Sequence, residues 1–495
     1  MSKILNIAHV SAEVEPFSKT GGLANVLGSL PKAHKDLGHE VVIITPYYEQ
    51  LINKGEHVFE TISENEHIEL TKDIWEEVAY LKTVHQGVTV YFIANKKYFG
   101  DRTTLYGSKN DNARFMFFDV AALQLLKKVN FKPDIIHCHD WHTGLIPYFL
   151  KWRYRKDPFW HDTATLFTIH NLSYQLGHNW WEIPPEERDD GRSTLMSFND
   201  PWMERINFAK RAIIHADAVN AVSETYREEI LTKDFGQELH RVLKNREKSV
   251  FGIVNGIDYS DYNPLTDPGL HTHYSDKSVT RKRFNKKWLQ KHYKLEVNPD
   301  IPLICMTSRI VEQKGFKLVS IILRALLHAG VQVIIMGDGD KTIMADLVEI
   351  QKECPNQLVL APFEKDLETS LYAGSDIFLL PSRFEPCGIN QMIAMRYGCI
   401  PVVHHIGGLA DTVIDYNPAT KNGNGFTFTK YDSRQLLMAT TRAIETFKHK
   451  KIWKDLMIRG FRQANSWEIP AQKYIDLYHT TQKLHRKNLR EIEQN

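Results

Sequence analysis

Apolar and polar positions alternate along this chain in blocks. Short β-branched or apolar runs are each followed by a stretch long enough for a helix. In the first half the runs are Ile4–Val10, Val41–Thr45, Val88–Ile93, Ile135–His137, Leu166–Ile169, Ala218–Val222 and Val250–Val254. In the second half they are Leu303–Thr307, Val331–Met336, Leu358–Ala361, Ile377–Leu380, Ile400–Val403 and Gly425–Phe428. Runs that are continuously apolar predict strands covered on both faces. Helix-length spacers between them predict βαβ units and parallel sheets. The runs stop between residues 256 and 300, a polar stretch that holds Pro264, Pro268 and Pro299. This gap predicts two doubly wound α/β domains, 1–256 and 301–466, joined by 257–300. From about Ser466 the pattern turns helical, and this last segment, 467–495, need not stay with the second domain. Ligands of doubly wound sheets bind beyond the carboxyl ends of the strands. Two facing domains would enclose a cleft, where small-molecule sites concentrate.

Length supports the division, because 495 residues exceed the roughly 250–300 at which single cores stop growing. Lys+Arg of 62 against Asp+Glu of 60 leaves a formal charge of +2, so no global charge draws the chain to nucleic acid or membrane. No apolar run approaches the roughly 18–20 residues of a membrane span. The opening segment Met1–Val10 reads as a first strand and not as a signal peptide. Cys138, Cys305, Cys354, Cys387 and Cys399 form no Cys-x-x-Cys pair, so free thiols in a reducing cytoplasm are expected.

Candidate chemistry clusters at the predicted strand ends. After the first strand comes Lys19-Thr-Gly-Gly-Leu-Ala-Asn25. Gly21 and Gly22 let backbone N–H groups approach an anion at the start of a helix, and Lys19 can reach a phosphate or sugar oxygen. A plain strand-to-helix turn is the other reading. His137-Cys-His-Asp-Trp-His142 invites a metal, but its spacing does not match His-Glu-x-x-His on a helix. If the strand persists, His137 and His139 share a face and Asp140 stands at its carboxyl end. Asp140 is then a sugar or acceptor contact, or a structural hydrogen-bond acceptor. His170, in Thr168-Ile-His-Asn171, lies where a substrate would lie or is a satisfied core histidine.

In the second half, Arg309 and Lys314 stand five apart on a turn after a strand. Such a pair suits a diphosphate, Arg as a fork and Lys as a point charge, unless both are ordinary surface charges. The segment Pro381-Ser-Arg-Phe-Glu-Pro-Cys-Gly388 places Glu385 to accept sugar hydroxyls, and the N–H groups after Gly388 open a helix. Gly407 and Gly408 form a second pair after a strand and read as a turn. Lys448-His-Lys-Lys451 reads as a solvated helix end.

With these residues assembled, the chain resembles the bacterial glycogen synthases and plant starch synthases, glycosyltransferase family 5. The resemblance rests on Lys19-Thr-Gly-Gly-Leu23, His139-Asp-Trp-His-Thr-Gly144, Thr168-Ile-His-Asn-Leu172, Asn255-Gly-Ile-Asp258, Ser308-Arg309 with Gln313-Lys-Gly315, Pro381 to Gly388, and Gly407 to Val413, in the family's order over nearly the whole chain. It implies a GT-B fold, two Rossmann-like domains facing across a cleft, with the final helix returning to the first domain. It implies ADP-glucose as donor, the non-reducing end of an α-1,4-glucan as acceptor, and retention at the anomeric carbon. UDP-glucose is the alternative donor. Arg309 and Lys314 would hold the diphosphate, Glu385 the glucose hydroxyls, and His170 would sit beside the glucose. Asp140, Lys19, Gly21, Gly22, Asn25 and Asn255 would line the cleft from the first domain. Phe363 would stack on the adenine, and Cys387, Gly388 and Gly408 would contact the donor. No cofactor and no metal is implied.

The family commonly carries Asp where this chain has Asn25, and Gly directly after Gln175, where Leu176 stands. Loop 176–202 is unlike the usual family text. Ile393 stands where the broader retaining pattern has a second Glu, and Ile406 replaces a usual Thr. Asn25 and that loop motivate a second reading, a glucan-binding homologue with weakened catalysis. The histidine-rich segment motivates a third, a metal-dependent hydrolase.

Overall fold

The computed structural model describes residues 3–52, 57–175 and 182–493. The chain divides into two compact units, Met1–Asn255 with Trp467–Asn495, and Gly256–Ser466.

The first unit is built on β1 (Asn6–Val10), β2 (Glu40–Pro46), β3 (Glu60–Thr71), β4 (Ile74–His85), β5 (Val88–Ala94), β6 (Ile135–His139), β7 (Ala164–Ile169), β8 (Ala218–Ala221) and β9 (Val250–Gly252). They form one nine-stranded sheet in the order β3-β4-β5-β2-β1-β6-β7-β8-β9. From β5 to β9 every neighbour is parallel. At the other edge β3 and β4 are antiparallel, which corrects the expectation of a purely parallel sheet. The apolar-run pattern misses these two strands because they are covered on one face only. Ile68, Leu70, Val78 and Tyr80 are buried, while their neighbours His67 and Glu77 are exposed and Glu69 is half-buried. Tyr80 reaches the carbonyl of Ala121 on the covering helix Asp111–Lys128.

The core of this unit joins Ile7, Val41, Ile43, Val90 and Phe92 of the strands to Val26, Leu27 and Leu30 of helix Gly22–Asp36. The final helix Glu468–Glu493 packs into the same core through Ala471, Tyr474, Ile475 and Tyr478.

The second unit carries β10 (Leu303–Thr307), β11 (Gln332–Met336), β12 (Leu358–Ala361), β13 (Ile377–Leu380), β14 (Ile400–His404) and β15 (Phe426–Phe428). The six-stranded order is β12-β11-β10-β13-β14-β15, all parallel. Helix Phe316–His328 buries Phe316, Val319, Ile322, Leu323, Leu326 and Leu327, the apolar stripe of a helix lying on a sheet. Gly407 and Gly408 open the helix Gly407–Thr412, so the turn read there is a helix start.

Both sheets reverse winding direction once. In the first the reversal falls between β1 and β6, in the second between β10 and β13. Loops leaving the carboxyl ends of strands that flank such a point diverge, and the gap between them is where doubly wound folds bind ligands.

Candidate active site

At the first reversal, the loop after β1 folds around Glu13. Its Oε2 accepts the N–H groups of Thr20 and Gly21 at 2.6 and 3.2 Å. Its Oε1 accepts the Thr20 hydroxyl at 2.6 Å and the Tyr106 hydroxyl at 2.7 Å. Two N–H groups of the glycine-rich turn therefore already hold the chain's own carboxylate. Lys19 is exposed and pairs with Glu15 at 2.9 Å. Asn25 is half-buried on the helix that follows. Asn255 is buried, and its Oδ1 has no hydrogen-bond partner among the described residues.

Asp140 follows β6 directly, with φ +60° and ψ 174°. This conformation favours glycine and costs on the order of 1–3 kcal/mol elsewhere. Here it is held on all sides. The Asp140 N–H donates to the Thr168 carbonyl at 3.0 Å, and its own carbonyl accepts from Thr143. One carboxylate oxygen accepts the His170 N–H and the Gln175 amide, each at 2.8 Å. Burial pushes the Asp140 pKa up to about 7; the His170 N–H opposes that shift, and the charge of Glu13 adds to it.

His137 and His139 do share one face of β6, as the alternation predicts, and they meet His9 of β1 there. His139 Nε2 lies 3.0 Å from His9 Nδ1, and His139 Nδ1 lies 3.0 Å from His170 Nε2. His9 Nε2 lies 3.3 Å from His34 Nδ1. His137 bonds Tyr478 Oη at 2.8 Å and Thr168 Oγ1 at 2.7 Å. Burial holds His9 and His170 down to about pKa 3, and His34, His137 and His139 well below the ordinary value. His9, His137 and His139 are close enough to hold a metal ion. Yet both ring nitrogens of each are already hydrogen-bonded, so no lone pair is left free for one. His142 instead packs against Tyr106 and Phe115, with ring centroids 4.5 and 4.6 Å away.

At the second reversal, Arg309 stands exposed after β10, and its guanidinium has no ion pair among the described residues. Lys314 lies on the turn Glu312–Lys314 and pairs with Glu385 at 2.6 Å; both side chains are largely buried, 18% and 9% exposed. The Ser382 hydroxyl donates to the same Glu385 oxygen at 3.0 Å. Gly315 makes this pairing possible. It has φ +80°, and a Cβ there would lie 2.1 Å from the Pro381 carbonyl. The Lys314 turn and the loop after β13 thus touch backbone to backbone. Gly408 does the same for the next loop: its N–H donates to the Glu385 carbonyl at 3.1 Å, and a Cβ would lie 2.2 Å from the Cys387 carbonyl. Gln391 ties Gly388 to Thr412. Cys387 is buried, and Phe363, just past β12, is 51% exposed.

The structure thus gathers Asp140 and His170 in the first unit, and Lys314 and Glu385 in the second. Glu13, His9 and His34 join the first group without having been singled out. Only the position of Glu13, between a strand and a glycine pair, could have drawn notice. Leu176 and Gly177, and the start of the atypical loop through residue 181, lie outside the described residues.

Two doubly wound parallel-sheet domains with polar groups at their winding reversals define a GT-B glycosyltransferase. A family model described as the starch synthase catalytic domain matches residues 6–245, and one described as glycosyl transferases group 1 matches residues 290–455. The chain is 41% identical to the glycogen synthase of Geotalea daltonii, covering 96% of this chain and 98% of that one. It is 39% identical to the glycogen synthase of Streptococcus pneumoniae serotype 4, covering 96% and 99%. Among solved structures, the catalytic domain of starch synthase IV from Arabidopsis thaliana, bound to ADP and acarbose, matches with a TM-score of 0.85 at 32% identity, covering 97% and 100%. Sucrose-phosphate synthase from Thermosynechococcus elongatus, with a TM-score of 0.59 at 15% identity, shares the fold alone. The chain belongs to the glycogen synthase family, and it is a glucosyltransferase. No helix among the described residues is long and apolar enough to cross a membrane.

Proposed function

We propose that the protein transfers glucose from ADP-glucose to the non-reducing end of an α-1,4-glucan, with retention at the anomeric carbon. The observation that carries this reading is the pairing of Lys314 with Glu385 beside the unpaired Arg309, at the winding reversal of the second domain. Breaking the bond between sugar and phosphate builds negative charge on the leaving diphosphate. Lys314, held by Glu385, and the exposed, unpaired Arg309 are the cations available for that charge, and preorganised charge supplies most of the rate enhancement in many enzymes. Glu385, held by Lys314 and Ser382, accepts glucose hydroxyls, and Phe363 offers an exposed ring to the adenine. Cys387, Gly388 and Gly408 form the backbone around the donor. The ADP bound to the Arabidopsis starch synthase supports an adenine nucleotide as the carrier.

His170 lies beside the transferred glucose, with Asp140, Lys19, Asn25 and Asn255 on the acceptor side. The acceptor hydroxyl oxygen attacks the anomeric carbon on the face from which the diphosphate departs. The hydroxyl proton passes to a leaving phosphate oxygen, so retention needs no covalent sugar–protein intermediate. With the diphosphate charge met by Arg309 and Lys314, the reaction needs no divalent ion.

Incorporation of label from ADP-glucose into glycogen tests this reading, with parallel UDP-glucose and EDTA arms. Efficient incorporation from ADP-glucose, unchanged by EDTA, is expected. A higher kcat/KM with UDP-glucose would overturn the donor assignment. Glycogen binding without incorporation would favour the weakened glucan-binding homologue that Asn25 suggests.

A further inference from the structure

A pocket opens in the first unit at the amino ends of β7 and β8. Thr165, the second residue of β7, lines it, and so does Asp217, the residue just before β8. Asp140 and His170 stand at the other end of the strands. From Thr165 to His170 the extended chain runs about 16 Å, so the pocket lies apart from the candidate active site. The final helix forms one wall through His485, Asn488 and Leu489. Helix Ile146–Trp152 forms another through Pro147, Leu150 and Lys151. Asp217 is already engaged. One of its oxygens accepts the Thr165 N–H at 2.9 Å, the Thr165 hydroxyl at 3.1 Å and His485 Nδ1 at 3.1 Å. The other accepts the Asn488 amide at 3.2 Å. His485 Nε2 lies 3.0 Å from the His161 carbonyl. An ionised carboxylate and a carbonyl only accept, so both ring nitrogens of His485 carry protons and the ring is a cation. Burial opposes that charge, but the hydrogen bond and charge of Asp217 outweigh it and raise the pKa.

Asp217 and His485 therefore cancel, and two cations on the pocket wall are left over. Lys151 and Arg155 have no hydrogen bond and no ion pair among the described residues. Lys151 is half-buried; burial lowers its pKa, while Asp217 supports its charge and Arg246 opposes it. Arg155 is exposed at the rim. Between these cations and the final helix the wall is apolar, formed by Leu150, Trp160 and Leu489. We propose that this pocket binds a phosphate monoester of a small ring compound, with the phosphate on Lys151 and Arg155 and the ring against Leu150, Trp160 and Leu489. A phosphate monoester carries about −1.5 to −2 at pH 7, which matches two uncompensated cations where a single carboxylate does not. Arg155 offers a fork and Lys151 a point charge to its oxygens. Inorganic phosphate satisfies the cations but leaves the apolar wall wet. The walls come from two separate stretches of chain, 147–217 and 485–489, so an occupant ties the final helix to the sheet it closes. The ligand is thus a clasp on the first unit, distinct from donor and acceptor.

The test titrates the full-length protein calorimetrically with phenyl phosphate, inorganic phosphate and phenol. Phenyl phosphate should bind about tenfold more tightly than inorganic phosphate, and phenol should not bind measurably. Lys151→Met should weaken phenyl phosphate by about tenfold or more and leave kcat/KM for glucose transfer unchanged when no phenyl phosphate is present. Arg155→Gln, at an exposed position that folding does not depend on, should do the same if Lys151→Met does not fold. Binding that neither variant weakens would place the ligand elsewhere, for instance on Arg309 and Lys314, and overturn the proposal. Equal affinity for phenyl phosphate and inorganic phosphate would overturn the assigned ligand class, and so would tight binding of phenol. No saturable binding up to about 10 mM would overturn the site itself.

A second arm reads the clasp. A ligand that binds only the folded state stabilises it by mass action, so phenyl phosphate should raise the melting temperature of the first unit. Hydrogen exchange should slow in the final helix around His485 and Asn488 when phenyl phosphate is bound, and should not slow in Arg155→Gln at the same concentration. Unchanged exchange in that helix with the ligand bound would show that the two stretches are not tied together, and would overturn the clasp.

Discussion

Lys314 and Glu385 act as one unit, because each is largely buried and each is the other's charge partner at 2.6 Å. Removing either leaves an uncompensated charge and one fewer group on the donor. Lys314→Ala and Glu385→Ala should each lose on the order of 10²–10³ in kcat while keeping a cooperative thermal transition. Radiolabel incorporation and calorimetry check the two halves of that statement, and an undiminished rate would remove both residues from the site. Asp140 offers a test by pH. Its folded pKa of about 7 lies above the unfolded carboxylate value of about 4, so the folded state binds more protons between those limits. Stability attributable to Asp140 is therefore lost as pH rises from about 4 to about 7, by about 1.4 kcal/mol per unit at most. Asp140→Asn should gain on the unmodified protein over that window in urea denaturation. A difference that stays flat with pH would show that Asp140 ionises normally.

At the scale of elements, what could be read from the sequence was whatever is buried on both faces. Runs such as Ile377–Leu380 and Leu303–Met306 are apolar throughout because every residue in them is buried, on both faces of the strand. The strands β3 and β4 escape such reading because half of each faces water and their register is broken by bulges. The candidate site divides along the same line. Arg309, Lys314 and Glu385 are polar residues after apolar runs and stand out. His9 lies inside an apolar run and reads as core, His34 stands among lysines on a helix and reads as surface, and Glu13 is marked only by its place between a strand and a glycine pair. The backbone conformation of Asp140 leaves no trace in residue type, since the unaided choice there would be glycine. Close packing between loops is an element-scale property too. Gly315→Ala places a Cβ against the Pro381 carbonyl at a left-handed φ, and should destabilise the second unit by about 1–3 kcal/mol. It should also raise the KM for the donor, because the Lys314 turn must move. A normal melting temperature with normal KM would show that the turn adapts freely.

For the whole molecule, the telling feature is that the first unit is assembled from two separate stretches of the chain. Its core includes Trp467, Ala471, Tyr474, Ile475 and Tyr478, all buried. Each large side chain among them contributes about 1.5–3 kcal/mol by burial. Truncation after Ser466 should abolish cooperative unfolding of the first unit and leave that of the second. Calorimetry with hydrogen exchange separates the two, and unchanged protection of β1 and β6 would contradict this.

That arrangement separates the order of synthesis from the order of folding. Residues 1–255 leave the ribosome before the second unit does, yet the helix that completes their core leaves after it. At roughly 5–20 residues per second, that half waits on the order of ten seconds or more for its closing segment. The second unit, continuous in sequence, emerges whole in the interval. Until the closing helix is made, the nascent chain carries a finished second domain and an open first one, whose apolar face lies uncovered.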